Sequence, residues 1–519
     1  MGSRTLLAVA VAALVLRSGL CLRDLAYLDR LFIPDDTYYT LSIARHLAWG
    51  DGPTAHGGPL TNGFQALTAF LLVPFCRLLP GPDGPLRAAL VLSALADVAT
   101  VVLLGRLAAR ASRRPERAAF LAALAWAVSP VAIANALNGL ETSLAVACQL
   151  AFVDAVLVAR EAKAARRWSY AGAIAGLAML ARVDSVFVVA GIGAFELSFG
   201  DRRGVLRAGA VGLLVVAPWW SYQLVRFHTV VPGSGAAVRQ HVIGSSTLAT
   251  QLGWAAGYVV GTPFVDLSDL RAFALFHPPF GVALFISVAL GLAWAGVRAF
   301  RGRPPLQILA LAAVTLLVFY ATYLPALYFF KRYLAPVLAV TALLIAVLVA
   351  EVPTSARARN ADRIAALGLL AACAIGLVAS VPFFLLRPAT SVEGGLHGLK
   401  GYRTPAQQIV GLAPPGSVIG ALQSGALGWY AIDRPVTIVN LDGVVDAEAR
   451  KAYREGTLNE LAIRRSVTHL ADWPFNLDTI AKRSTRPFRA RLLGKSSPQD
   501  PPAMSLGLSF MLLQVDWGS

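Results

Sequence analysis

The sequence predicts a polytopic, all-α membrane protein of about eleven transmembrane helices, followed by a small C-terminal α/β domain. Hydrophobic residues make up 56% of the 519-residue chain, and its mean hydropathy is +0.62. Charged residues make up only 14%, against about 25% in an ordinary soluble domain. Apolar stretches near the length of a bilayer crossing recur until about residue 386, where the sequence becomes polar.

Each predicted transmembrane helix is an apolar segment whose boundaries are accurate to within a few residues. One further run, Phe64–Cys76, has 13 residues. That is about 20 Å of helix, against a hydrocarbon core of about 30 Å. Because Pro74 interrupts this run and Arg77 follows it, we expect a short juxtamembrane helix instead of a span. The predicted spans are 6–22, 86–105, 118–137, 141–159, 168–181, 183–199, 205–225, 279–297, 305–325, 333–350 and 364–386.

The distribution of positive charge predicts the orientation of the spans. The chain has 46 basic and 29 acidic residues, and most of the Arg excess lies in short loops between apolar segments. If Phe64–Cys76 does not span, five basic loops share one face, which the positive-inside rule makes cytoplasmic. If it did span, the N-terminus would have to start outside, against the charge of Arg4. The five loops are 106–117, 160–167, 201–207, 298–303 and 357–363.

The opposite, outer face then carries the longer connections. A cleaved signal peptide is the alternative interpretation of residues 6–22, and either interpretation leaves the first loop outside. We therefore expect a multi-pass protein of the cell membrane whose functional loops and C-terminal domain are extracytoplasmic. The outer segments are the loop 23–85, the turn Asn138–Glu141, the loop 226–278, the corner at Lys331-Arg332 and the tail from about 387.

The tail is polar enough to be a soluble domain. We therefore divide the chain into a transmembrane module, 1–386, and an α/β domain, 387–519. Short apolar segments between turn residues indicate strands, and longer periodic segments indicate helices. The predicted strands are Gly416–Leu422, Pro435–Leu441, Ser466–Ala471 and Leu506–Val515, and the predicted helices are Thr404–Leu412 and Asp446–Leu461.

Several function classes are disfavoured by the sequence. A net charge of +17 would suggest nucleic-acid binding in a soluble protein, but no basic stripe interleaved with aromatic residues is present. The P-loop, G-x-G-x-x-G, G-x-S-x-G and H-E-x-x-H motifs are absent. The seven histidines are scattered and the four cysteines are far apart, so neither a metal cluster nor a disulfide framework is predicted.

The adjacent carboxylates Asp35 and Asp36 are the main candidates for chemistry. They follow Pro34 and open an amphipathic helix, Tyr38–Trp49, on the predicted outer face. One Asp at such a position can simply cap the helix. Two together at a membrane surface are less easily explained by capping. One carboxylate can accept a proton from an acceptor hydroxyl, while its neighbour raises the pKa or positions the acceptor.

Basic residues on the same face are candidates for binding phosphate. Lys331 and Arg332 begin a predicted span, where they either anchor it at the interface or bind a phosphate or pyrophosphate group. Arg239 in the long outer loop can share that role. Glu141 and Arg182 lie at predicted outer ends of spans, although Arg182 can instead pair with the nearby Asp184.

The segment Asp35-Asp36-Thr37-Tyr38-Tyr39, with Arg45 on the following helix, resembles the first outer loop of the GT-C superfamily of membrane glycosyltransferases. That superfamily includes protein O-mannosyltransferases, aminoarabinose transferases and cell-wall arabinofuranosyltransferases. Its members have a large first outer loop with juxtamembrane helices and an Asp-Asp or Asp-Glu motif. The further segments that are similar are Leu60–Phe64, Asn138–Thr142, Leu180–Asp184, Lys331–Pro336, Gln423–Gly425 and Val439–Gly443.

The resemblance implies an inverting transferase that moves a hexose or pentose from a polyprenyl-phosphate donor to a glycan, lipid or protein acceptor. It implies that Asp35 is the general base and that Asp36 assists or binds the acceptor. A phosphate leaving group needs charge stabilisation more than protonation, which suits Lys331, Arg332 and Arg239. No cofactor is predicted, and a divalent cation stays an open alternative that the sequence does not indicate. The other substrate-binding candidates are Tyr38, Tyr39, His56, Asn62, Glu141 and Arg182, of which His56 has no fixed counterpart in the superfamily.

Two other classes of function stay open at this point. The first is a transporter or lipid flippase, although the spans carry few midplane charges and no paired inverted repeat is visible. The second is a non-catalytic assembly factor of the cell envelope whose tail binds a polymer. The carboxylate pair discriminates between them, because a transferase loses activity without it and a transporter has no need of it in a loop.

Overall fold

The computed structural model describes residues 2–242, 303–324, 330–351, 401–496 and 509–517. The predicted spans 279–297 and 364–386 lie outside the described residues. Before residue 352, the regular structure of the described part is entirely helical. Its helices are α1 Gly2–Cys21, α2 Leu25–Leu31, α3 Asp35–Trp49, α4 Ala66–Leu78, α5 Asp83–Ala111, α6 Pro115–Ala127, α7 Pro130–Ala136, α8 Thr142–Ala162, α9 Ala165–Ala181, α10 Ser185–Phe199, α11 Arg202–Phe227, α12 Gly233–Val242, α13 Pro304–Thr322, α14 Phe330–Tyr333 and α15 Ala335–Glu351.

Four helices in the described part are long and apolar enough to cross a bilayer, which supports a membrane protein. They are Arg4–Cys21, Asp83–Ala111, Thr142–Ala162 and Arg202–Phe227. Shorter apolar helices lie at Ala66–Leu78, Ser185–Phe199, Pro304–Tyr320 and Ala335–Glu351. The total of eleven spans stays a prediction.

The predicted span 118–137 is wrong as a single helix. The chain leaves the helical conformation between α6 and α7, where Ser129 is extended at ψ 124° and Pro130 opens α7. Proline disfavours the helical conformation of the residue before it, so the helix ends there. The carbonyls that this break exposes at Trp126 and Ala127 accept hydrogen bonds from the buried Arg17. Arg17 also pairs with Asp97 at 2.9 Å, so the buried charge is compensated.

The short apolar run after the first loop forms α4, which has 13 residues and contains Pro74. Leu72 and Cys76 of this helix are buried in one hydrophobic core with Leu28 of α2 and Leu41 of α3. The segment therefore packs on the helices of the first loop. Its position at the membrane interface stays a prediction.

The C-terminal part combines helices with one five-stranded sheet of order β2-β1-β3-β5-β4. Strands β2, β1 and β3 run parallel, and β5 runs antiparallel to both of its neighbours. The carboxyl ends of the three parallel strands therefore share one edge, where open α/β sheets bind ligands. The elements are α16 Arg403–Leu412, β1 Val418–Ala421, α17 Gly425–Ala431, β2 Thr437–Asn440, α18 Ala447–Glu455, α19 Leu458–Arg464, β3 His469–Asp472, α20 Pro474–Lys482, β4 Arg489–Lys495 and β5 Met511–Asp516.

Several details of this part differ from the sequence prediction, which contained neither α17 nor α20. The predicted helix Asp446–Leu461 is wrong as one element, because Gly456 at φ +73° ends α18 in the left-handed conformation. Strand β4 was not predicted. Its residues Arg489–Lys495 are mostly exposed and lack the apolar alternation that identifies a strand.

The sheet shares its core with the first loop. Tyr38 and Leu41 of α3 are buried in the same hydrophobic cluster as Ile419 of β1 and Trp429 of α17. At one close approach between them, a Cβ on Gly425 would collide with the backbone oxygen of Asp35 and lie 2.9 Å from its Cγ. The division of the chain at residue 387 stays a prediction, and the described contacts show the two parts packed together.

We predict that Gly425→Ala destabilises the fold by about 1–3 kcal/mol, because the added methyl group must push α3 away from α17. Gly411→Ala is the matched control, since Gly411 lies in α16 and no described atom is within 4 Å of the position that its methyl carbon would take. There the substitution should be neutral or stabilise the helix by up to about 1 kcal/mol. Thermal unfolding in detergent measures both. Equal midpoints for the two variants would contradict the close packing.

Candidate active site

A cavity of about 1820 Å³ lies between the first loop, helices α10 and α13, and the edge of the sheet at which the parallel strands end. One part of its wall is apolar and comes from α10 and α13, with Phe187, Val318 and Phe319 among its residues. The other part is polar and comes from the start of α3 and from the loops after β1 and β2, including Asp36 and Asp442. The cavity therefore offers apolar and polar surfaces to one ligand.

Asp35 is the first residue of α3 and is 5% exposed. Its carboxylate accepts backbone N–H groups from Gly425 at 2.9 Å and from Ala426 at 2.8 Å. Those donors belong to the first turn of α17, so Asp35 caps a helix of the C-terminal part. Burial raises the pKa of Asp35 to about 8, although the two N–H groups favour the ionised form.

Asp36 is turned towards the cavity and pairs with Arg332. Both terminal nitrogens of Arg332 lie 3.0 Å from one oxygen of Asp36. The Asp36 side chain is 35% exposed, against 7% for Arg332. The guanidinium also lies 5.2 Å from the ring of Tyr333. The structure thus places a solvent-accessible carboxylate directly beside a cation that is suited to phosphate.

A third carboxylate, Asp442, approaches the same region from the loop after β2. One of its oxygens accepts the Val444 N–H at 2.8 Å and the Asn440 amide at 2.7 Å. Its other oxygen accepts the hydroxyl of Tyr39 at 3.4 Å. Burial raises the pKa of Asp442 to about 7, and the charge of Asp36 adds to the rise.

Tyr39 connects α3 to the sheet. Its hydroxyl lies 2.9 Å from the Ser424 hydroxyl and accepts the amide of Asn440 at 3.0 Å. Tyr39 lines the cavity, as the sequence interpretation requires of a substrate-binding residue. Its hydroxyl is part of a network that holds Asn440 and Asp442 against α3.

A buried ionic cluster forms another section of the wall. Arg182 donates to Glu141 at 2.9 Å and to Tyr320 at 2.7 Å, and it pairs with Asp184 at 3.0 Å. Tyr320 in turn donates to Asp184. Arg182 therefore pairs with Asp184, and it also lines the cavity with Glu141, while substrate binding by either residue stays a prediction.

The remaining predicted site residues lie in different places. Arg239 lines the cavity, where it is exposed and donates to the Tyr323 hydroxyl at 3.1 Å. The side chain of Lys331 lies outside the described residues. Tyr38, His56 and Asn62 are not among the residues that line the cavity.

These three residues make structural contacts instead. The Tyr38 hydroxyl donates to Asp29 at 2.5 Å. The His56 Nε2 atom lies 3.2 Å from the Ser424 hydroxyl, and burial lowers the His56 pKa to about 3, so the ring is neutral. The Asn62 amide donates to the Val231 carbonyl at 3.2 Å. Substrate binding by them stays a prediction.

Asp442, Tyr320 and Arg450 are among the wall residues that were not singled out from the sequence. Asp442 lies within the segment Val439–Gly443, whose resemblance to the superfamily was the available signal. Tyr320 is one aromatic residue in an apolar span and gave no signal. In the described part of the chain, no group of three His, Cys, Asp or Glu side chains is arranged to hold a metal ion.

With this geometry, comparisons with known proteins identify the class of fold. Residues 67–222 match the model of the dolichyl-phosphate-mannose-protein mannosyltransferase family. The fold is similar to that of AglB, the oligosaccharyltransferase of Archaeoglobus fulgidus, solved with an inhibitory peptide and a dolichol-phosphate. That match has 13% identity and a TM-score of 0.56, and it covers 92% of this chain and 71% of AglB.

A second similar structure is ArnT from Cupriavidus metallidurans bound to undecaprenyl phosphate. It is 12% identical with a TM-score of 0.54, and the match covers 98% of this chain and 97% of ArnT. No curated protein sequence matches the chain. The resemblance to the GT-C superfamily is therefore confirmed, and the chain has the fold of membrane glycosyltransferases of that class.

We predict that Arg182→Ala destabilises the protein by about 3–5 kcal/mol, because it leaves Glu141 and Asp184 buried without their cation. The control is Arg106→Ala. The side chain of Arg106 is 51% exposed and pairs with Asp154, so its loss should cost at most about 1 kcal/mol. The midpoints of thermal unfolding in detergent test the difference. A small effect at Arg182 would show that the cluster does not support the wall.

Proposed function

We propose that the protein is an inverting membrane glycosyltransferase that transfers a sugar from a polyprenyl-phosphate donor to an acceptor hydroxyl. The observation that carries this proposal is the pair formed by Asp36 and Arg332 at the cavity wall. A proton acceptor and a phosphate-binding cation side by side are the two groups that such a transfer requires. The sugar stays unassigned between a hexose and a pentose.

The apolar wall supports a lipid-linked donor. Phe187, Val318 and Phe319 give the cavity an apolar surface that continues to within reach of the charged groups. A polyprenyl chain lies against such a surface with its phosphate at the polar end. Arg332 then binds the phosphate, with Arg239 and Lys331 as the additional cations that the sequence suggests.

The reaction follows from this arrangement as a single displacement. The acceptor oxygen forms a bond to the anomeric carbon of the sugar, and the bond from that carbon to the phosphate oxygen breaks. The acceptor proton goes to a carboxylate, and the polyprenyl phosphate leaves with the bonding electrons. Arg332 stabilises the negative charge that develops on the leaving phosphate.

The contacts favour Asp36 as the carboxylate that takes the proton. The sequence interpretation gave this role to Asp35, with Asp36 in support. Both oxygens of Asp35 are occupied by the N–H groups of Gly425 and Ala426, whereas Asp36 is open to the cavity. Donor phosphate competes with Asp36 for Arg332, so donor binding also releases the base. Asp35 then positions Asp36 by fixing the start of α3.

The proposal also includes the side of the membrane on which the active site lies. The carboxylates and the sheet edge lie on the extracytoplasmic side of the cell membrane, and the basic loops lie in the cytoplasm. A polyprenyl-phosphate sugar presents its head group at that surface. The acceptor is a glycan, a lipid or a protein that the outer face of the membrane exposes.

Asp36→Asn tests the mechanism, because an amide keeps the shape of the side chain but cannot take the proton. The variant should fold and bind undecaprenyl phosphate, yet transfer sugar at least about a hundredfold more slowly. Transfer from radiolabelled polyprenyl-phosphate sugar in detergent is the measurement. Asp433→Asn is the control, since Asp433 is 70% exposed and pairs with Arg45 outside the cavity.

Asp35→Asn separates the two carboxylates. The NH₂ group of the new asparagine would face one of the two backbone N–H donors, and two donors cannot form a hydrogen bond. This variant should therefore lose about 1–3 kcal/mol of stability. Its folded fraction should keep more activity than Asp36→Asn does. If Asp35→Asn is the inactive variant, the base is Asp35. If both variants transfer sugar at the wild-type rate, neither carboxylate is the base and the proposed mechanism is wrong.

A further inference from the structure

The carboxyl edge of the sheet forms the polar end of the cavity. Gln423 and Asp442 line it from the loops after β1 and β2, and Asn476 lines it from α20, the helix that follows β3. Thr479 of α20 adds a hydroxyl group to the same wall. These are amide and hydroxyl groups, which can donate and accept hydrogen bonds, and a carboxylate, which accepts them. All of them can therefore bind the hydroxyl groups of a ligand.

This wall is held in place by a second carboxylate behind it. Asp472, at the end of β3, is fully buried and does not line the cavity. It accepts the Gln423 N–H at 3.0 Å and the side-chain amide of Asn476 at 2.6 Å. The two cavity residues are therefore fixed to each other before any ligand arrives, as a binding site requires.

Asp442 is fixed in the same way but faces the cavity. Its inner oxygen is held by Val444 and Asn440. Among the described residues, its outer oxygen has only the 3.4 Å contact from the Tyr39 hydroxyl. The outer oxygen is therefore positioned to accept a stronger hydrogen bond. Asp36 lines the same cavity and lies near enough for its charge to raise the pKa of Asp442, so a group that approaches the base also approaches Asp442.

We propose that Asp442 binds the acceptor and that the acceptor group is a neutral carbohydrate held by hydrogen bonds to its hydroxyl groups. This inference rests on the proposed transferase function and adds the residue and the chemical class of the acceptor. The lipid of the donor binds against the apolar wall formed by α10 and α13, and the acceptor binds at the edge of the sheet. Asp36 lines the same cavity as both surfaces.

The charges at this end favour a neutral acceptor over an anionic one. Asp35, Asp36 and Asp442 all line the cavity. Arg450 and Arg454 line the cavity from the sheet side. The Arg450 guanidinium donates to the carbonyls of Gly233 at 3.1 Å and Gly443 at 3.4 Å, and Arg454 pairs with Glu455 at 3.5 Å. A phosphorylated acceptor would have to approach the carboxylate of Asp36, which repels it, whereas a sugar hydroxyl can hydrogen-bond to a carboxyl group in either protonation state.

Asp442 also stabilises the turn that follows β2, so its test needs a matched control. Asp446 lies four residues further on, is buried, and accepts the N–H groups of Glu448 at 2.9 Å and Ala449 at 3.1 Å. It does not line the cavity. Asp442→Asn and Asp446→Asn therefore make the same chemical change in two buried turns, one inside the site and one outside.

The experiment measures ligand binding to the purified full chain in detergent. The probes are undecaprenyl phosphate, the methyl glycosides of mannose and arabinose, and mannose 6-phosphate. Undecaprenyl phosphate should bind wild type and both variants equally. At least one methyl glycoside should bind wild type and Asp446→Asn about tenfold or more tightly than it binds Asp442→Asn. Mannose 6-phosphate should bind wild type more weakly than that glycoside does.

Each other result overturns a specific statement. Equal glycoside binding by wild type and Asp442→Asn, or no glycoside binding at all, overturns the acceptor role while the transferase proposal stands. Tighter binding of mannose 6-phosphate overturns the neutral class. An equal loss in Asp442→Asn and Asp446→Asn shows a structural effect only and overturns the acceptor role as well. If undecaprenyl phosphate fails to bind wild type, the transferase proposal fails and this inference fails with it.

Discussion

The two hydrogen bonds from the first turn of α17 to Asp35 fix the geometry on which the rest of the site depends. They join the first residue of α3 to the C-terminal sheet across about 390 positions of sequence. Successive residues of a helix point about 100° apart, so a buried Asp35 directs Asp36 away from the sheet and into the cavity. One carboxylate therefore supplies position, and the next one is available for chemistry.

The charges of the cavity are arranged so that two buried cations, Arg182 and Arg332, each have a carboxylate partner. Arg182 lies between Glu141 and Asp184, and Arg332 lies against Asp36. Leaving any of these groups unpaired away from water would cost several kcal/mol. The two sites differ in exposure. The partners of Arg182 are buried, which suits a fixed wall, whereas Asp36 is accessible, which suits a pair that opens when a phosphate arrives.

The sequence predicted those parts of the site whose signal is local. Asp35 and Asp36 are adjacent and follow Pro34, and Arg332 begins an apolar segment, so composition and spacing were sufficient to find them. The break between α6 and α7 also has a local cause in Pro130. Because the residues on both sides of Pro130 are apolar, hydropathy alone predicts one continuous span there. Tyr38, His56 and Asn62 lie close to the motif in sequence, yet their side chains point to Asp29, Ser424 and Val231. Which face of the loop meets the cavity depends on the sheet that packs against it.

Asp442 illustrates what sequence alone could not supply. It lies about 400 residues from Asp36, and the two meet only because the carboxyl end of β2 faces the start of α3. That contact depends on the order of the parallel strands and on the close approach of Gly425 to Asp35. Neither is visible in hydropathy or charge. The shared core of α3, β1 and α17 makes the C-terminal part a component of the site.

The central claim is that Arg332 exchanges Asp36 for the phosphate of the donor lipid, and a double-mutant cycle with undecaprenyl phosphate tests it most directly. Affinity is compared among wild type, Arg332→Ala, Asp36→Asn and the double variant. Arg332→Ala should bind more weakly by about 1.5–3 kcal/mol, since it loses a charge-assisted contact. Asp36→Asn should bind more tightly than wild type, because the phosphate no longer competes with a carboxylate. The double variant should bind more weakly than Asp36→Asn alone, because the gain from removing Asp36 depends mainly on freeing Arg332 for the phosphate. Wild-type affinity in Arg332→Ala would contradict the account and leave Arg332 as a structural partner of Asp36.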